Sequence, residues 1–524
     1  MVTLPPQAVT RPAFLYGQQS VGFMKKTTGV LSGLVVAIAA VTVAGAWYTG
    51  KQLPAELDRS LVMVNQQLKQ ALIGSGGSMT LERVSLDQHL FTSTAHYRLK
   101  AADIQAGEAP VNFEVGVVDT LEHGPFPWSR VKALKLMPVM VASNAQLQKD
   151  DGTAAWFAAA GDKSPLQTHL SLGYGGSVDA RLELLPLKLD EADGNKLDFS
   201  GLELLSSSDR DGNRVKLQGT AGKLDMTLVG EDHPPARLLF NGLSLQGDLT
   251  GTGHAMVYGG TFSAAVQESQ FTLGPRQDVA VVKGFEVNSL STVTDDKMDG
   301  RIQYKLGDIT YNGRAVGAGE MVFSMKRYDI PAFQSLVQWY STKLPQVQAA
   351  QAAGVPFPSI DMTEQERTQV RADLSQVLSA KPQFALENLS FKTANGESRL
   401  NLTVDLANPS SFDLPPDQLG RQVVTQVQGK LVLSKPMIGD LATLQALLEN
   451  QGDPQAIAQQ AGQAGEMVGM MAVQSGLATV QGNDVVTSVH YADGMVDFNG
   501  RKMSVEEFAM LLAGLLQGAV GPQG

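Results

Sequence analysis

His123 stands in the run His123-Gly124-Pro125-Phe126-Pro127, and an imidazole with an ordinary pKa suits proton transfer near neutral pH. No serine or aspartate partner can be assigned to it from spacing. The two prolines mark a sharp bend from strand into loop, so a structural role is expected. Asp209 and Asp211, two apart before Gly212, resemble the opening of a calcium loop, where hard oxygen ligands converge on one ion. The EF-hand order needs a further ligand before its glycine and a glutamate at its end. Here Gly212 follows at once, and a hairpin turn is the better reading. Asp295, Asp296 and Asp299 precede Gly300 and read as another solvated turn. The remaining histidines, His89, His96, His169, His233, His254 and His490, lack the close spacing of a zinc site. Gly173-Tyr174-Gly175-Gly176 and Gly251-Thr252-Gly253 lack the downstream pattern of a dinucleotide or phosphate loop and read as turns. No Gly-x-Ser-x-Gly nucleophile elbow is present. No catalytic, cofactor-binding or metal-ligating residue is therefore assigned, no cofactor is called for, and the expectation is a protein that is not an enzyme.

The elements available to hold such residues are mostly strands. From 78 to 328 apolar residues recur with period two: Val215, Leu217 and Gly219 alternate with Lys216 and Gln218, and Ile302, Tyr304 and Leu306 with Gln303 and Lys305. Such alternation puts one face of a strand in a core and the other in water. Turn signals at Asp211-Gly212, Asn241-Gly242, Asp299-Gly300 and Asn312-Gly313 predict hairpins, hence an extended antiparallel meander. A helical insertion is expected over 329–380, with Asp329 as N-cap of a first helix and the capping box Thr363-Glu364-Gln365-Glu366 opening a second. Strands return over 381–524, including Leu400, Leu402, Val404 and Leu406. Helices are predicted near 437–475, and a C-terminal helix is capped by Ser504 with Glu507. The fold class is α+β, mainly β.

Ahead of this body lies Met24-Lys25-Lys26, then Thr27 to Gly50 without one charged side chain, then Lys51. As a helix at about 1.5 Å per residue this segment reaches roughly 33–36 Å, enough to cross a hydrocarbon core of about 30 Å. Ala44-Gly45-Ala46 fits a signal cleavage pattern, but the apolar run exceeds a signal core, and Trp47-Tyr48 beside Lys51 makes an interfacial pair. Residues 24–50 therefore read as a retained signal-anchor transmembrane helix. Residues 1–23 read as a disordered tail or as the product of a misassigned start. The lysine pair places the N-terminus in the cytoplasm and the bulk of the chain in the periplasm. Leu57, Leu61, Val64, Leu68 and Leu72 predict an amphipathic juxtamembrane helix and linker over 51–77.

There is no cysteine in 524 residues, so disulfides and thiolate chemistry are excluded. A net charge of -11 with no concentrated basic surface argues against a nucleic-acid partner. Gly465 and Gly469, four apart, allow close helix approach, while Met467, Met470 and Met471 offer an adaptable apolar surface. Packing on the protein's own body is the plain reading of this stripe; a dimer partner or a lipid is the sharper one.

Gly45-Ala46-Trp47-Tyr48-Thr49-Gly50-Lys51, His123-Gly124-Pro125-Phe126-Pro127, Asp209-Arg210-Asp211-Gly212, Tyr491-Ala492-Asp493-Gly494 and Asn499-Gly500-Arg501-Lys502-Met503-Ser504 together, in this order, resemble the bacterial YdgA-like family. The resemblance runs from Met24 to the last helix. It implies a single-span protein of the Gram-negative inner membrane with a large periplasmic part and no settled molecular function, and it transfers no catalytic residue. Three functions follow as expectations. The first is a non-catalytic envelope binding or scaffold protein, with an envelope protein or a second copy as partner. The second is a carrier of lipid or another hydrophobic ligand, which calls for one continuous concave face lined by Leu, Val and Phe. The third is an envelope hydrolase whose residues meet only in space.

Overall fold

The computed structural model describes residues 53–519 apart from 73–76, 106–109, 193, 211, 231–233, 255–256, 353–358 and 450–453. Residues 1–23, the uncharged segment, Asp211 and His233 lie outside the described residues. Among the described residues no helix is long and apolar enough to cross a membrane.

Helix α1 (Leu53–Ala71) is followed by β1 (Ser78–Gln88), β2 (Thr92–Gln105), β3 (Pro110–His123), α2 (Trp128–Lys132), β4 (Val141–Leu147), α3 (Ala154–Ala159), β5 (Leu166–Leu172) and β6 (Val178–Leu184). A small hairpin, β7 (Leu187–Asp190) and β8 (Lys196–Phe199), precedes β9 (Leu202–Ser208). Six long strands follow: β10 (Arg214–Leu228), β11 (Ala236–Gly251), β12 (Tyr258–Leu273), β13 (Asp278–Thr294), β14 (Lys297–Tyr311) and β15 (Arg314–Asp329). Then come α4 (Ile330–Ala352), α5 (Glu364–Ser379), β16 (Gln383–Lys392), β17 (Glu397–Leu406), α6 (Pro416–Val423), β18 (Val424–Ser434), α7 (Lys435–Leu448) and α8 (Pro454–Gln474). The chain closes with β19 (Thr479–Gln481), β20 (Asp484–Ala492), β21 (Met495–Phe498), β22 (Arg501–Ser504) and α9 (Val505–Ala519).

All strands belong to one sheet, and every pairing is antiparallel. It runs from β1 through β6 to β9, then through β18 to β20, β21 and β22, with β8 sharing one side of β10 with β9. No pairing among the described residues joins β1 to β22, so the sheet is open. The meander and most predicted helices are present. The short helices α2, α3 and α6 carry no sequence signal strong enough to mark them, and Pro436 stands in the first turn of α7, where its fixed φ is tolerated.

Two predicted turns are corrected. Asn241-Gly242 lies inside β11 and Asp299-Gly300 inside β14. Gly242 stands in a row that crosses the sheet: Gly201, Gly222, Gly242, Gln267, Gly284 and Gly307 occupy facing positions between the pairs on either side of them. Gly201, Gly242 and Gly284 have φ of +96°, +66° and +74°. A Cβ on Gly307 would lie 2.0 Å from the Lys283 carbonyl oxygen. From β9 to β14 the row keeps one residue opposite one, so the register is unbroken until β14 meets β15, where it shifts between Leu306 and Ile309; each strand kinks and changes its alternation at the row. Phe199 and Leu202, three apart around Gly201, consequently pack on the same core. The pairs Ala221/Leu224, Phe240/Leu243, Val282/Phe285 and Leu306/Ile309 repeat that spacing on the partner strands. The apolar residues thus stay on one face from end to end.

The main core lies under the N-terminal end of that face. Val64 and Leu68 of α1 and Trp156 and Phe157 of α3 cover Leu81, Leu99, Val115 and Leu182. Burying each such side chain contributes about 1.5–3 kcal/mol. At the far end Val496, Phe498 and Met503 pack under α9, with Phe498 and Phe508 rings 5.3 Å apart. Asp329 caps α4, accepting from Ala332 N–H at 3.1 Å, and the Thr363–Glu366 capping box is formed in both directions.

Candidate functional site

Between these cores the apolar face has no such cover. The principal neighbours of β11–β14 are the strands that flank them, whereas helices pack on β1 and on β15, β18, β20, β21 and β22. The register places Leu217, Leu245, Phe262, Val287, Tyr304 and Phe323 on neighbouring strands of this face. None of them is buried; Leu306, Phe323, Leu389 and Leu402 are between 37% and 42% exposed. Strands of 15–17 residues give the face a length of about 50 Å, so its area is well above the few hundred Å² of an ordinary exposed patch. Charged side chains sit on the opposite face, where Arg301 pairs with Glu387 at 2.8 Å and Glu320 accepts from Asn388 at 2.8 Å and from Gln303.

A large hollow among the described residues lies on that polar side. A cavity of about 1450 Å³ crosses β4–β13, lined by Arg130, Asn144, His169, Arg181, Glu203 and Gln218 among others. The apolar face is thus continuous, while the large hollow described lies on the other side of the sheet. Several polar groups in the hollow pair with one another, while Arg130 Nε is buried without a hydrogen bond. Arg181 pairs with Glu183 and, at 2.8 Å, with Glu203. His169 Nδ1 meets Asn144 Oδ1 at 2.8 Å, Asn144 donates to Ser129 Oγ, and Ser129 donates to Glu122. An amide thus stands between the imidazole and the hydroxyl, and the two make no direct hydrogen bond. Burial lowers the His169 pKa, favouring its neutral form.

His123 does meet a hydroxyl: its Nε2 lies 2.9 Å from Ser93 Oγ. Ser93 is only 1% exposed, and His123 Nδ1 is buried without a hydrogen-bond partner. Burial also lowers the His123 pKa. His254 contacts Asp296 at 2.8 Å and His490 lies 3.3 Å from Gln426 Nε2, each at a different place on the sheet; His96 is on β2 and His89 in the β1–β2 turn. Asp209 accepts from Asn213 N–H at 2.7 Å within a tight turn. Asp295 and Asp296, both at positive φ, make the β13–β14 turn, while Asp299 is in β14 and accepts from Arg327 N–H at 2.7 Å. Gly173 to Gly176 form a turn as expected, whereas Gly251 is the last residue of β11 and only Thr252 and Gly253 lie in the loop after it. Among the described residues no group of three His, Asp or Glu converges in a manner that could hold a metal ion.

The Met/Gly stripe divides between two faces of α8. Gly465 and Gly469 face inward against Lys435 of α7, and Gly439 of α7 closely approaches Ala461. Met467, Met470 and Met471 point out, each more than half exposed. A second apolar feature gave no periodic signal: Leu90, Phe91, Phe126, Trp128, Leu134 and Met137 protrude from the loops at one edge of β1–β5.

These features define a large open-sheet α+β protein with an exposed apolar face and helices gathered toward its ends. The chain belongs to the bacterial family DUF945, described as a bacterial protein of unknown function, whose model matches residues 24–506. It is 27% identical over 499 residues to Protein YdgA of Escherichia coli K12, covering 92% of this chain and 96% of that one. The uncharacterized protein YihF of the same organism is 24% identical over 502 residues, covering 91% and 97%. An uncharacterized protein of Haemophilus influenzae is 24% identical over 324 residues, covering 60% and 85%. No solved structure matches.

Proposed function

We propose that the protein is a membrane-tethered, non-catalytic envelope protein that works by binding, and that the open apolar face of β10–β17 is its binding surface. The observation that supports this is the continuity of that face: one register carries apolar side chains across eight strands, yet leaves them half exposed. So much apolar surface calls for a cover in water. A single ligand molecule is ordinarily enclosed over most of its surface, which an open face does not do. A second sheet face does, packing at about 10 Å with its own apolar residues interdigitated. A second copy of the chain presents such a face, and an isologous pair places no like charges opposite one another there.

Acyl chains of lipid are the second reading. It is favoured by the uncharged segment Thr27–Gly50, which as an anchor would hold the sheet beside a bilayer. Native mass spectrometry of the full chain released from lipid discs separates the two. A lipid-free dimer is the expected result; a monomer carrying phospholipid makes the lipid reading primary, and a bare monomer ends both.

A further inference from the structure

We propose that the loop edge of β1–β5 docks on the membrane surface, with Leu90, Phe91, Phe126, Trp128, Leu134 and Met137 set at the lipid–water interface. These six residues are between 61% and 84% exposed, and they come from two loops, the β1–β2 turn and the β3–β4 connection that holds α2. The loops are tied to one edge: His123 N–H donates to the Phe91 carbonyl at 2.8 Å, Gly124 N–H to Met140 at 3.1 Å, and Met140 N–H to Leu172 at 2.7 Å. A rigid row of exposed apolar and aromatic residues is costly in water and well placed in an interface.

The occupant is identified by where the chain arrives. Leu57, in the second turn of α1, packs on Ala95, Leu121 and Val141, which lie at this edge of the sheet; Val64 and Leu68 pack farther down, toward Met79 and Val111. Helix α1 therefore starts at the edge that carries the protruding loops. Only Lys51 and Gln52 separate its first residue from the uncharged segment that ends at Gly50. A body tethered through so short a connection presents this edge to the bilayer in which the segment would sit. The local charge agrees: Lys132 and Lys135 are exposed among the apolar residues, with Lys132 Nζ 5.4 Å from the Trp128 ring centre. Lysine stems among apolar tips place ammonium groups at headgroup level, where anionic lipid attracts them. Docking by this edge is independent of what covers the sheet face.

The absence of cysteine lets single cysteine variants report without background. Full-length Leu134→Cys and Met137→Cys chains would carry a nitroxide and be reconstituted in protein-free phosphatidylethanolamine–phosphatidylglycerol vesicles. An Asp151→Cys chain, labelled at the opposite edge beyond β4, is the reference. Collision with oxygen should rise, and collision with a water-soluble nickel chelate should fall severalfold, at 134 and 137 relative to 151. Labels at 134 and 137 that are as accessible to nickel as the one at 151 would overturn the proposal, because the tether holds the body at the membrane in either case.

Discussion

Phe240 and Phe271 meet edge to face on neighbouring strands, ring centres 5.7 Å apart and planes at 84°, on a sheet face that helices cover only toward its ends. Aromatic contacts of this kind usually lie inside a core. Here they belong to a surface, and stability should separate from binding accordingly. Leu306→Gln, at 39% exposure, should change unfolding free energy by under about 1 kcal/mol in urea titration, yet abolish the dimer in native mass spectrometry. Leu99→Ala, at 1% exposure, should cost about 2–5 kcal/mol. A Leu306→Gln loss as large as that at Leu99 would show that the face is core, not interface.

The glycine row makes a sharper claim. Ala at Gly307 would place its Cβ 2.0 Å from a backbone carbonyl, and Ala at Gly242 would have to hold φ of +66°. Each substitution should lower stability by about 1–3 kcal/mol. Gly420, in α6 with open space around it, is the opposite case: Gly420→Ala should stabilise by about 0.5–1 kcal/mol. Parallel urea curves for the three variants, all shifted the same way, would show that the row does not depend on its missing side chains.

Within single elements the sequence is legible. Leu400, Leu402, Val404 and Leu406 read as one half-buried strand and form β17, and the pairs Thr363/Glu366 and Ser504/Glu507 read as caps and make cap hydrogen bonds. What lies between elements is not legible, because period-two alternation is the same for any partner strand. Nothing in the Phe240 or Phe271 segment alone says that they meet. Asn241-Gly242 looks like a hairpin turn because a turn and this kink within a strand both place a glycine at positive φ. The protruding edge is illegible for another reason: Phe126 to Met137 forms loop and one short helix, and apolar residues there follow no period.

The crossing of α7 and α8 depends on having no side chain at one point. A Cβ on Gly465 would stand 2.3 Å from the Lys435 carbonyl oxygen. Gly465→Ala should force the helices apart and cost about 1–3 kcal/mol by overpacking. Met470, 68% exposed on the other side of α8, should tolerate alanine within about 0.5 kcal/mol. Thermal unfolding of the two variants side by side decides which face of the stripe holds the fold.

Asp119 lies buried near the start of α1, where Ser143 Oγ donates to its carboxylate at 2.8 Å. Burial nevertheless raises its pKa from 3.8 to about 6, the hydrogen bonds from Ser143 and Asn144 N–H offsetting only part of the desolvation. The folded protein therefore keeps a proton that the unfolded chain has released. Its stabilising contribution is full below 3.8 and lost as pH rises through about 6. Two units correspond to about 3 kcal/mol, so Asp119→Asn should gain up to that amount at neutral pH and nothing in acid. The difference between variant and parent in urea unfolding should open as pH is raised across that window; a constant difference would show that the buried carboxyl titrates alike in both states.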